Sequence, residues 1–156
     1  MTREVLALRR MPTPEQIELL RPRVNLARAV CVDYTGAGVG LGDALKAEFG
    51  GKVELCTFTA GLKEEIFVKL RAAMERRGVW IPKSAEIRED LHAVHRVVSN
   101  TGQITFRASR SADGHSDRAT ALALAVRAAE SRPVTPAPTT VGRRNPFLAS
   151  RGRIFR

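Results

Sequence analysis

The chain predicts a single α/β domain, and three observations carry that expectation. Its 156 residues suit one core, and 44% of them are hydrophobic. Short apolar runs alternate with segments whose apolar residues recur every three or four positions, the signature of strands and amphipathic helices in turn. The most apolar short run, Ala29-Val30-Cys31-Val32, is closed by a carboxylate, Asp33. Open α/β sheets present their ligands at such strand ends.

Taken in order, residues 3–9 alternate in part and stop at Met11-Pro12, which predicts an opening strand. Pro14 opens a short helix through Leu20, with Thr13 as its cap and Ile17, Leu19 and Leu20 as apolar positions. Pro22 is expected to end it, because proline removes a donor and clashes with the preceding turn. Arg28 to Asp33 reads as a central strand covered on both faces. After a glycine-rich turn, Val39, Leu41, Leu45 and Phe49 mark a helix that stops at Gly50-Gly51, and Val53 to Phe58 forms the next strand.

Residues 61–77 predict the clearest helix, with Leu62, Ile66, Phe67, Leu70, Ala73 and Met74 on one face and Gly78 as its cap. Val79-Trp80-Ile81 reads as a short strand closed by Pro82. Ile87, Leu91 and Val94 trace a helix from Ser84. Gln103 to Arg107 reads as a strand after the hairpin-like turn Asn100-Thr101-Gly102. The last helix runs from Ser116 to about Glu130, and its many alanines allow close approach to a sheet.

Charge divides the chain at residue 131. Residues 132–156 hold six arginines and no acid, leaving 20 of the 26 basic residues against 16 acids in the rest. Residues 133–142 contain three prolines and no periodicity, so residues 1–131 are expected to form the domain and 132–156 a disordered arginine-rich tail. Such a tail attracts phosphate backbones without reading sequence, although solubilising the chain is an equal use for it. Cys31 and Cys56 lack zinc-site spacing and disulfide density, and are expected to be reduced core residues. No apolar run reaches the roughly 18 residues needed to span a bilayer, and no signal pattern opens the chain, so a cytoplasmic protein is expected.

Chemistry concentrates in two acidic motifs, Val32-Asp33-Tyr34-Thr35-Gly36 and Gly114-His115-Ser116-Asp117. Two carboxylates at the ends of regular elements suit hard ions such as Mg2+ or Mn2+. For Asp117 the competing reading is a helix-dipole partner. The glycines at 36, 38, 40 and 42 fail G-x-G-x-x-G at Leu41 and lack a G-K-[ST] ending, so they serve strand-to-helix packing or phosphate contact. Lys63, in the first turn of its helix, could reach a phosphate; His115 could orient Asp117 or touch phosphate. His92 and His95, three apart on one helix, suit surface positions. Asp43 and Asp113 are expected to be solvent-exposed.

Four segments in order, Val-Asp-Tyr-Thr-Gly-Ala-Gly (32–38), Phe-Thr-Ala-Gly-Leu-Lys (58–63), Val-Trp-Ile-Pro (79–82) and Gly-His-Ser-Asp-Arg-Ala-Thr-Ala (114–121), resemble the C-terminal nuclease domain of phage terminase large subunits. The likeness covers about residues 3–130 and is greatest to the Mu-like prophage type. It implies a ribonuclease H-like (RuvC-like) mixed sheet flanked by helices, in which acidic residues bind two divalent ions and cut double-stranded DNA during genome packaging. Asp33 matches the central-strand acid and Asp117 the C-terminal acid, both catalytic and metal-binding; Lys63 and His115 are the substrate-binding candidates.

The family's first acid lies on a strand upstream of residues 3–9, so the first two strands are expected to be missing from an N-terminally truncated chain. The activity of such a chain is doubtful. Its expected partners, besides DNA, are an N-terminal ATPase region or other packaging proteins, the portal and the small terminase subunit. A resolvase- or transposase-like nuclease, or a non-catalytic DNA-binding or assembly module of the same fold, stands as the alternative.

Overall fold

A computed structural model describes residues 4–98, 100, 102, 104–108 and 116–131. Its elements are α1 (Thr13–Leu26), β1 (Val30–Asp33), α2 (Gly38–Phe49), a 3-10 turn (Gly50–Lys52), β2 (Val53–Cys56), α3 (Ala60–Glu75), α4 (Ala85–His92), β3 (Val94–Val98), β4 (Ile104–Ala108) and α5 (Asp117–Glu130). The expected tail, with His115 and Asp113, lies outside the described residues.

Strands β1 and β2 pair in parallel with Val30 opposite Val53 and Asp33 opposite Cys56. Alternation sends Val30, Val32, Val53 and Leu55 to one face, where they pack with Val24 and Leu20 of α1 and with Leu41, Leu45 and Phe49 of α2. Cys31 and Cys56 point to the other face, against Ile66 and Leu70 of α3 and Ala123 and Leu124 of α5. Covering both faces explains the unbroken apolar run in β1. Ala119 and Ala123 are fully buried, so the small residues of α5 do bring it close to the sheet. Strands β3 and β4 form an antiparallel hairpin, and Phe106 stacks on Phe67 of α3 with ring centroids 5.5 Å apart.

Several expectations are corrected. Residues 4–8 form no strand; Glu4 instead receives two hydrogen bonds from Arg23, at 2.7 and 2.8 Å, which tether the segment to α1. Pro22 does not end α1 but lies inside it, and Thr13 is not its cap. Interior proline costs about 3 kcal/mol, and burial of Val24 against α2 and β2 works against that cost. Val79-Trp80-Ile81 is not a strand, and Trp80 is 70% exposed: Pro82 removes a donor and no described strand lies alongside. Val94 belongs to β3 rather than α4, so His92 and His95 do not share a helix.

The end of α3 also differs in detail. Gly78 N–H donates to Ala73 O and Arg77 N–H to Met74 O, the double bond of a Schellman ending, but the left-handed residue is Arg77 (φ 55°) rather than Gly78.

Candidate functional site

Asp33 is the last residue of β1 and is half-buried. Its surroundings are built almost wholly by the next ten residues. Thr35 Oγ1 donates to Asp33 Oδ1 at 2.5 Å, and Tyr34 N–H continues the ladder to Cys56 O at 2.9 Å. The chain then turns through Gly36 (φ 52°) into α2. A Cβ on Gly38 would stand 2.1 Å from Asp33 O, so only glycine lets the helix start against the strand end. Gly42 lies under the Tyr34 ring, whose hydroxyl donates to Asp43 Oδ1 at 2.9 Å. Asp43 is exposed as expected, yet it orients Tyr34 and holds that phenol above its ordinary range.

Asp117 is the first residue of α5 and is exposed. The direction of α5 follows from its ion pairs. Arg127 bonds Glu54 of β2 at 2.7 and 3.0 Å and Glu65 of α3 at 2.6 Å, while Glu130 lies 3.8 Å from Lys69. Helices α3 and α5 therefore run side by side in the same direction. The end of α5, with Ala128, Ala129 and Ser131, lines a groove with Arg28 and Ala29, which lead into β1. The start of α5 thus lies toward the end of β1, where Asp33 emerges. Alternation puts Asp33 on the Cys31 face, the face α5 covers. Consistent with this, the Cys56 thiol is held low chiefly by its hydrogen bond with Cys31, and the Asp33 charge opposes that shift. Asp33 thus ends β1 on the face that α5 covers, and Asp117 opens α5.

Lys63 lies in the first turn of α3, and its ammonium sits 5.6 Å above the Phe58 ring. That cation–π contact gives the side chain a partner inside the fold. Thr59 caps the same turn, accepting from Leu62 N–H at 3.1 Å.

Behind Asp33, the ligand atoms of Cys31, Glu54 and Cys56 lie within 4.8 Å of one another, the one group of three potential metal-binding side chains among the described residues. Each already has a partner: Cys31 Sγ donates to Glu54 Oε2 at 3.3 Å, and Arg127 holds Glu54 Oε1. Arg127 keeps the Glu54 carboxyl below its usual range, and the contact with Cys56, together with burial, pushes the Cys31 thiol up. Both cysteines are free, as expected. The Arg127–Glu54 ion pair ties α5 to β2. Residue patterns missed Arg127 in this role, and they missed Asp90, which accepts from Arg118 N–H at the start of α5.

Residues 2–129 match the family described as terminase RNaseH-like domain. Among solved structures, the large terminase nuclease from thermophilic phage G20c with bound magnesium is 24% identical, with a TM-score of 0.59 over 74% of this chain. The same nuclease with bound cobalt gives 24% and 0.60, and a further structure of it 23% and 0.59. This chain spans only 61–62% of the length of those structures. No curated protein matches it.

Proposed function

We propose, for a chain that belongs to the terminase RNaseH-like domain family, that it is the nuclease part of a large terminase subunit and acts on double-stranded DNA during phage genome packaging. What supports this reading is that Asp33 ends β1 and Asp117 opens α5, the helix packed on the Cys31 face of that strand. Their hard carboxylate oxygens fit Mg2+ or Mn2+, and a structural relative is described with magnesium bound. Such ions, when bound, activate water and stabilise the leaving oxygen of a phosphodiester.

The residues divide the work. Thr35 occupies Asp33 Oδ1, so that carboxylate keeps a fixed rotamer and offers its other oxygen. Asp117 is solvent-accessible at a helix start, where the partial positive charge of the helix also favours a phosphate. Lys63 and His115 remain our candidates for phosphate contact. Two carboxylates are few for two divalent ions, since each offsets cation charge and fixes geometry. We infer that each ion takes further oxygen donors besides these two carboxylates. A Mu-like prophage origin, suggested by motif order, and ATPase, portal and small-subunit partners belong to the same proposal.

The test is plasmid nicking by this chain with Mn2+. The expected result is weak, metal-dependent nicking that disappears in Asp33→Asn and in Asp117→Asn. Metal-dependent nicking that survives both substitutions would overturn the site, and vigorous cleavage by the chain alone would overturn the expectation of weak activity.

A further inference from the structure

Asp117 opens α5, and the first turn of a helix leaves N–H groups that the helix itself cannot satisfy. The preceding residue ordinarily caps that turn with its side chain, from an extended backbone. Ser116 does not: it is left-handed (φ 57°, ψ 41°), 4% exposed, and makes no capping bond with its side chain. Only its carbonyl joins the helix, accepting from Thr120 N–H at 3.1 Å. The missing acceptor comes from another helix. Asp90, in the last turn of α4, accepts from Arg118 N–H through Oδ2 at 2.9 Å, and the same oxygen lies 3.6 Å from Arg118 Nη1. The Asp90 side chain is 17% exposed, so water competes little for this bond.

We propose that Asp90 is a positioning residue: its carboxylate fixes the start of α5 through Arg118 and thereby fixes where Asp117 stands relative to Asp33. The proposal rests on the metal-site reading of those two acids. A one-residue slip of the first turn moves Asp117 by about 1.5 Å along the helix axis and about 100° around it. An ion shared between two elements responds directly to such a displacement, because its affinity depends on donor geometry. A cap serving stability alone would leave the metal affinity of the folded protein unchanged. Asp90 Oδ2 is engaged by the N–H and the guanidinium of Arg118, so Asp90 acts through that residue rather than on the ion.

The experiment compares the full chain with Asp90→Ala and Asp90→Asn, using Mn2+ alone as the probe, by calorimetry well below the melting temperature. Amide exchange at Arg118 is followed in metal-free buffer. Asp90→Ala should weaken Mn2+ binding about tenfold and speed Arg118 exchange about fivefold. Asp90→Asn, which keeps an oxygen acceptor, should return Mn2+ binding to within about threefold of the parent. Unchanged Mn2+ affinity in Asp90→Ala alongside faster exchange would overturn the proposal and leave a purely structural cap. So would an Asp90→Asn protein as weak as Asp90→Ala. Mn2+ binding by the parent that ignores Asp33→Asn and Asp117→Asn would sink the metal-site reading, and the exchange result would show separately whether Asp90 holds α5.

Discussion

Asp33 is held by its own neighbours in sequence, whereas Asp117 is held by a helix that precedes it by a whole hairpin. Around Asp33, Thr35, Gly36, Gly38 and Gly42 lie within ten residues and fix strand end, turn and helix start together. Around Asp117 the fixed points are Asp90 on α4 at one end of α5, and Glu54 and Glu65, through Arg127, at the other. Half of the site thus rests on contacts between β1 and α2, and the other half on the docking of α3, α4 and α5. The difference teaches that geometry at Asp33 is set by sterics, and geometry at Asp117 by charge.

The largest expected effect attacks the steric half. Gly38→Ala drives a methyl into Asp33 O and should destabilise by about 3 kcal/mol in urea unfolding. A cost below about 1 kcal/mol would mean that the turn yields and that the contrast between the halves is false. Next comes acid, which attacks the charge half. Arg127 depresses the Glu54 carboxyl from its ordinary value of 4.5, so this pair stabilises the fold above that value and its contribution is lost as pH falls through the lower, folded-state value. Amide exchange in α5 should therefore rise below pH 4.5 before exchange in α2 does, and Glu54→Gln should flatten that limb. Equal acid response in both helices would break the comparison.

Smaller effects sharpen it. Gly40 has open space around its Cα on the same helix as Gly38, and Gly40→Ala should stabilise by up to about 1 kcal/mol in thermal unfolding. Opposite signs at positions 38 and 40 would isolate the contact with Asp33 O from helix propensity. Away from both halves, Arg77→Gly should stabilise by about 0.5–1 kcal/mol by relieving the left-handed residue that ends α3. It should leave Mn2+ binding untouched.

The local half was legible in the sequence and the assembled half was not. A continuous apolar run ending in Asp33, followed by glycines, needs no distant partner to be recognised as a strand turning into a helix. The periodicity of α3 and the alanines of α5 were equally readable, because each helix carries its own buried face. Val94 misled because it continues the spacing of Ile87 and Leu91; what makes Val94–Val98 a strand is its pairing with Ile104–Ala108, a non-local fact. Residues 4–8 find no partner strand among the described residues, and Pro22 lies inside α1, where Val24 beyond it is buried. Asp90 gave no signal at all. It is one acid among several on a short helix, and only the approach of the Arg118 N–H distinguishes it.

The measurement that tests the central claim most directly is Mn2+ binding to the full chain, Asp33→Asn, Asp117→Asn and the double variant, each confirmed folded by circular dichroism. If both acids hold one site, each single substitution weakens binding about tenfold or more, and the double variant is little worse than the weaker single, because the second loss removes a donor from a site already broken. A double variant that binds Mn2+ as tightly as the parent would contradict the account.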